Sequence, residues 1–135
     1  MLRQNPEGFT MATIAPDLAR IASLNDRCRQ GLDPTARIVI TRNCLVTVAQ
    51  DVAPARLKAS GCNEVLAQAC IMAELRKWKA PEDSPERDLG WFYVGKHKLM
   101  FKFDYYDLDM EYGSEDPADA TKTVRVLTIM LPSDY

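Results

Sequence analysis

Apolar residues recur at helical spacing first in Leu18, Ile21, Leu24 and Cys28, which share one face of a helix expected from about Pro16 to Gln30. Proline suits a first helical turn, where its missing N–H costs nothing, and Gly31 suits the stop. After an Asp33-Pro34 turn, Arg37-Ile38-Val39-Ile40-Thr41-Arg42 reads as a short strand. Helical signals then return with a break. Asp51 is placed to cap a short helix through Ser60, Gly61 interrupts, and Asn63 is placed to cap a longer helix to about Lys79. Val65, Leu66, Ala69, Met72 and Ala73 form its apolar stripe, widened by Ile71, Leu75 and Trp78. A stripe that wide predicts a helix buried against a sheet. The polar, proline-bearing stretch 80–88 is a loop.

Alternation with a period of two begins at residue 89. Gly95-Lys96 lies between two strand-like runs and suits a type II′ hairpin turn. That register sets Val94 opposite His97, Phe92 opposite Leu99 and Trp91 opposite Met100. One face then holds Phe92, Val94, Leu99, Phe101 and Phe103, the expected core face. The other holds Trp91, Tyr93, Lys98, Met100 and Lys102, a face of rings and lysine stems open to solvent or contact. Along the second strand the pattern changes phase. Leu99, Phe101, Phe103 and Tyr105 are apolar at odd positions, whereas Tyr106, Leu108, Met110 and Tyr112 are apolar at even ones. A period of two does not survive that flip, so the pattern predicts either a bulge near Tyr105-Tyr106 or a strand ending that re-aims the chain. Beyond Gly113, the run Ser114-Glu115-Asp116-Pro117 has the form of a helix start, with Asp116 as cap and Pro117 at the first position. A helix to about Leu131 is expected on that signal, against the β-branched residues of 123–131, which favour a strand.

These elements make the expected class α+β: a small antiparallel sheet of three to four strands, near 37–42, 89–94 and 97–112, packed against helices from both ends of the chain. The 135 residues suit one domain over 13–135, preceded by a disordered extension over 1–12 in which Met11 resembles a second start. No apolar run is long enough to span a membrane, and no secretion signal precedes Met11, so a cytoplasmic protein is expected. Cys28, Cys44, Cys62 and Cys70 contain no CxxC pair, and His97 is the lone histidine; the cysteines read as small buried hydrophobes, with no metal site and no cofactor expected. The net charge of −2 argues against a general nucleic-acid binder. It conceals an asymmetry: residues 1–103 carry 15 basic and 11 acidic side chains, and residues 104–135 carry 2 and 8.

The acidic third also carries a resemblance. Lys102-Phe103-Asp104-Tyr105-Tyr106-Asp107, the run Gly113 to Asp119 and the run Arg125 to Leu131 with a closing Tyr135 resemble the C-terminal signature of a family of small bacterial proteins classed as a domain of unknown function. Residues 18–42 resemble the family's first helix and strand more weakly. The resemblance implies no established activity. It implies a setting on plasmids and other mobile DNA, and so a protein that engages host machinery, including host defence.

Asp104, Asp107, Asp109, Glu111, Glu115 and Asp116 are the strongest chemical clue. Paired carboxylates at this density could hold Mg²⁺ for phosphodiester chemistry, which makes a metal-dependent phosphodiesterase or nuclease the alternative reading. No phosphate loop, HExxH or EF-hand spacing accompanies them, and His97 has no evident partner, so no catalytic residue is assigned. The leading expectation is a non-catalytic interaction protein. Its binding residues are Asp104, Tyr105, Tyr106, Asp107, Asp109, Glu111, Glu115 and Asp116, with Trp91 and Tyr93, and its partner is a host protein or protein complex, an inhibitor's or accessory factor's target. A third and weaker reading uses Trp91, Tyr93, Lys98 and Lys102 as a nucleic-acid module.

Overall fold

The computed structural model describes residues 6–52 and 62–135. The elements run α1 (Pro6–Arg29), β1 (Arg37–Ile40), α2 (Arg42–Val52), α3 (Cys62–Arg76), β2 (Leu89–Val94), β3 (His97–Tyr106) and β4 (Val124–Met130), closed by a short 3-10 helix (Pro132–Asp134). The class is α+β, with helical segments from both ends of the chain flanking one four-stranded sheet of order β1-β4-β3-β2. The sheet is mixed. β2, β3 and β4 are antiparallel neighbours, and β1 joins β4 in parallel.

The hairpin register is the one its alternation predicts: Val94 pairs His97, Phe92 pairs Leu99 and Trp91 pairs Met100. Gly95 takes φ +58 while Lys96 is not among the positive-φ residues, as a II′ turn requires. Phe92, Val94, Leu99, Phe101 and Phe103 are all buried. They meet Leu127 and Ile129 of β4, Cys28 of α1, Cys44 and Val48 of α2, and Ala67, Ile71 and Leu75 of α3 in one core. Burying Phe101 completely is worth about 2–3 kcal/mol on its own. Gly90 makes room for this packing. A Cβ there would lie 2.5 Å from the Trp78 ring, which instead stands edge-to-face on Phe101 at 4.8 Å between centroids.

Several expectations are corrected. α1 begins at Pro6, not near Pro16, with Ile21, Leu24 and Cys28 on its buried face. Asp51 is in the last turn of α2 and not at a helix start; the short helix expected after it falls on 53–61, outside the described residues. Asn63 lies one residue inside α3, which ends at Arg76. The buried line of α3 is Ala67, Ile71 and Leu75, whereas Val65, Leu66 and Ala69 from the expected stripe face solvent. The helix with the wide apolar stripe therefore buries one line of it and shows the rest to water.

The largest correction concerns the chain after Tyr105. No bulge interrupts the ladder: β3 and β4 pair without slippage from Met100↔Met130 to Tyr106↔Val124. The phase flip marks the end of β3 instead. The helix expected from Pro117 to Leu131 is absent, because residues 124–130 form β4, a central strand hydrogen-bonded on both sides. The alternation Arg125, Leu127, Ile129 inward and Val124, Val126, Thr128 outward satisfies two neighbours at once, and that long-range pairing outweighs the local start signal at Asp116-Pro117.

Candidate functional site

The three helices reach the core from the face that carries Phe101. The opposite, outer face of the sheet is laid out in rows by the ladder: Tyr93 with Lys98, then Trp91 with Met100 and Met130, then Lys102 with Thr128 and Val39, then Asp104 with Val126 and Arg37, then Tyr106 with Val124. The expected site residues are therefore divided. Trp91 and Tyr93 stand at the hairpin end. Asp104 and Tyr106 stand toward the other end, and Lys98 and Tyr106 are about 26 Å apart along β3. Asp104 is engaged by Lys102 Nζ at 2.5 Å.

Tyr105 points the other way, inward. Its hydroxyl accepts a hydrogen bond from Asn25 Nδ2 at 2.8 Å and donates to Glu86 Oε1 at 3.4 Å. Asn25, fully buried, also donates to Glu86 O and accepts from Arg125 Nε at 3.0 Å. Arg125 is buried beside it, 5.3 Å from the Tyr105 ring, and its Nη2 donates to Pro117 O. Burial pushes the Tyr105 hydroxyl up to about 12 and lowers the Arg125 guanidinium from its ordinary value. Of the adjacent tyrosines, only Tyr106 shares the outer face.

Residues 107–112 form a loop that returns to the strand it leaves. Tyr106 bridges Gly113, Asp107 N–H donates to Tyr112 O at 2.8 Å, and Ser114 N–H donates to Tyr105 O at 2.9 Å. The Asp107 carboxylate holds the turn from inside by accepting from Glu111 N–H at 3.0 Å. Met110 adopts φ +61, a left-handed conformation that a non-glycine residue takes only where the surroundings impose it. At the tip Leu108 and Tyr112 are 63% and 73% exposed, among Asp109, Glu111, Glu115 and Asp116, which are exposed too.

Asp116 does not cap a helix. Its N–H donates to Ser114 Oγ at 3.2 Å, and its carbonyl accepts from Thr123 Oγ1 at 2.9 Å. The two hydroxyls are 2.7 Å apart, and since Thr123 already donates to Asp116, Ser114 is the donor between them. A closed relay thus satisfies both backbone groups of Asp116 and leaves its carboxylate outside.

The carboxylates do not converge. Among the described residues no three of His, Cys, Asp and Glu are placed to hold a metal ion. Burial pushes the Cys28 and Cys44 thiols up to about 12, which keeps them protonated and unreactive. His97 does have a partner that the sequence concealed, because it lies 46 positions away: Nε2 is 2.5 Å from Asp51 Oδ2. The pair borders a hollow where, among the described residues, the other side chains are Val48, Val94 and Lys96, with no hydroxyl or thiol nucleophile.

The chain belongs to the family described as protein of unknown function (DUF3768). Its family model matches residues 56–134. The match takes in α3 and the antiparallel strands β2, β3 and β4, including both ends of the outer face and the 107–112 loop. No curated protein and no solved structure matches the chain.

A surface that the sequence reading missed lies at the opposite edge of the sheet. Ile38 and Val39 of β1 are exposed on the edge strand, and Val65 is 69% exposed on α3. Gln68 and Met72 border the two hollows between them. The one available signal was that α3 carries more apolar residues than a single buried face needs.

Proposed function

We propose that the protein acts by binding another protein through the loop at residues 107–116, as an inhibitor or accessory factor of host machinery, defence machinery included. The observation that carries this reading is the tip itself. Leu108 and Tyr112 are held out in water among four exposed carboxylates, on a loop whose backbone is fixed by its own hydrogen bonds. An aromatic and an aliphatic anchor inside an acidic rim match a partner groove that is apolar at its centre and basic at its margin. A rigid loop also loses little conformational entropy on docking. The acidic rim would speed encounter and select against acidic partners. The phosphodiesterase reading has no comparable support, since it needs the carboxylates to converge.

Crosslinking mass spectrometry in the cell of origin tests the proposal. The expected result is one partner whose linked peptides map to 107–116 and are rich in Lys or Arg. The doubly substituted Leu108→Ser, Tyr112→Ser protein should lose that partner while keeping its melting temperature. A partner retained undiminished by the double variant, or linked only elsewhere on the chain, overturns it.

A further inference from the structure

The hairpin end of the outer face carries a second surface, independent of the acidic loop. Trp91 and Tyr93 project from the same side of β2 and are 49% and 59% exposed. Strand geometry places them about 7 Å apart. Across the ladder from Trp91, Met100 and Met130 continue its row as a buried apolar floor. The Lys98 ammonium lies 5.9 Å from the Trp91 ring, whereas Lys96 turns to the helix side, 4.0 Å from Asp51 of α2. On the other side of Trp91, a hollow of about 340 Å³ lined by Trp78, Lys79, Pro81, Leu89 and Gly90 opens at β2, an edge strand of the sheet.

Flat apolar ring faces are best covered by other flat apolar faces, and ammonium groups beside them by anions. Single-stranded nucleic acid offers both at a regular repeat, planar bases along a chain of phosphates. A duplex keeps its base faces stacked inside and offers them to no platform. A proline-rich peptide would cover the rings but leave Lys98 without a counterpart. We infer that this face binds single-stranded nucleic acid. Bases stack on Trp91 and Tyr93, a phosphate meets Lys98, and the hollow beside Trp91, which Lys79 borders, takes the edge of a further base. Lys96 and Lys102 contribute less, being held by Asp51 and Asp104. The net charge of −2 does not oppose this. The 107–116 carboxylates lie beyond the far end of β3, more than the roughly 10 Å Debye length at 0.1 M salt away.

Fluorescence anisotropy with a labelled deoxythymidine oligomer of about 12 nucleotides and the full chain at about 0.1 M salt tests the inference. The wild-type chain should bind, with quenching of tryptophan emission. Trp91→Ala and Tyr93→Ala should each weaken binding about ten-fold, and Trp91→Phe should recover most of the loss, since a ring still stacks. Lys98→Ala should flatten the dependence of log affinity on log salt by about 0.7. Asp109→Ala, at an exposed residue of the loop, should leave the oligomer affinity as in wild type, which separates this surface from the acidic loop. Thermal melts should show both ring variants folded at the assay temperature, with Tyr93→Ala close to wild type and Trp91→Ala lowered by what its half-buried ring contributes over Met100 and Met130. Absence of binding, equal affinity for a duplex of the same length, undiminished binding by Trp91→Ala, or capture of a proline-rich peptide in place of the oligomer overturns it.

Discussion

The two ends of β3 are built from the same ladder and held by opposite means. At the hairpin end the interior of the inner face is apolar, Phe92, Val94, Leu99 and Phe101 against α2 and α3 with Trp78 closing over Gly90, and the His97–Asp51 pair stands at its rim. At the far end the inner face is a buried polar network, in which Asn25, Tyr105, Glu86 and Arg125 satisfy one another. The outer surfaces differ to match. The apolar end presents rings and lysines on a flat strand pair, and the polar end presents an acidic loop. The contrast shows how a chain of net charge −2 can offer two surfaces of opposite character, and why the average charge describes neither.

If the far end depends on its network, Arg125→Ala should produce the largest stability change. It leaves Asn25 Oδ1 unpaired in the interior, opens a cavity beside Tyr105 and releases Pro117 O. Loss of a buried charged donor of this kind costs roughly 2–3 kcal/mol. Hydrogen exchange should show residues 107–123 losing protection while the Gly95 turn keeps its own. A uniform loss at both ends would mean that the network stabilises the whole sheet and that the division drawn above is wrong.

The hairpin end should respond to crowding rather than to a lost bond. Gly90→Ala would put a methyl 2.5 Å from the Trp78 ring and 2.9 Å from Phe101. Phe101 is fully buried and has no space to retreat into, and Trp78 yields only by giving up its contact with Phe101 and tilting into the hollow it borders, so the variant should lose about 1–3 kcal/mol, read as a lower chemical-denaturation midpoint. The displaced Trp78 should also shift its emission. An unchanged midpoint would show that Trp78 swings out at little cost and that the edge-to-face contact with Phe101 contributes little.

The same two ends differ in how far the sequence made them legible. At the hairpin, alternation, a Gly-Lys turn and the register between them are all local, and the pairing of Val94 with His97 and the core face of Phe92 to Phe103 follow from them. The exposed rings of Trp91 and Tyr93 on the outer face follow from the same alternation. At the far end the decisive partners are distant. Arg125 pairs with Tyr105 across the ladder and bonds Asn25 from 100 positions away, so a polar residue amid Val124, Val126 and Leu127 carried no visible reason to be buried. The Asp116-Pro117 signal was local and real as a turn: Asp119 N–H donates to Asp116 O at 2.9 Å, a bond three residues back, one short of the spacing an α-helix needs. It was overridden because residues 124–130 complete a sheet between β1 and β3. The open edge of β1 was hidden for the same reason, since a four-residue apolar strand reads alike at a centre and at an edge.

The smallest expected effect is the most discriminating for the loop. With a helix cap at Asp116, Asp116→Ala would cost about 0.5–2 kcal/mol and Asp116→Asn less. The structure removes that expectation. What holds this turn is the backbone of Asp116, through Ser114 Oγ and Thr123 Oγ1, and both bonds survive any change of its side chain. Asp116→Ala and Asp116→Asn should therefore leave stability within about 0.5 kcal/mol of wild type. Thr123→Val, which breaks the relay at a buried position, should lower the melting temperature measurably. If the carboxylate belongs to the rim that meets a basic partner, both Asp116 variants should instead slow association and reduce its salt dependence. Melts and association rates on the three proteins separate these roles, and a clear drop in melting temperature for Asp116→Ala would restore the side chain as a structural element of the turn.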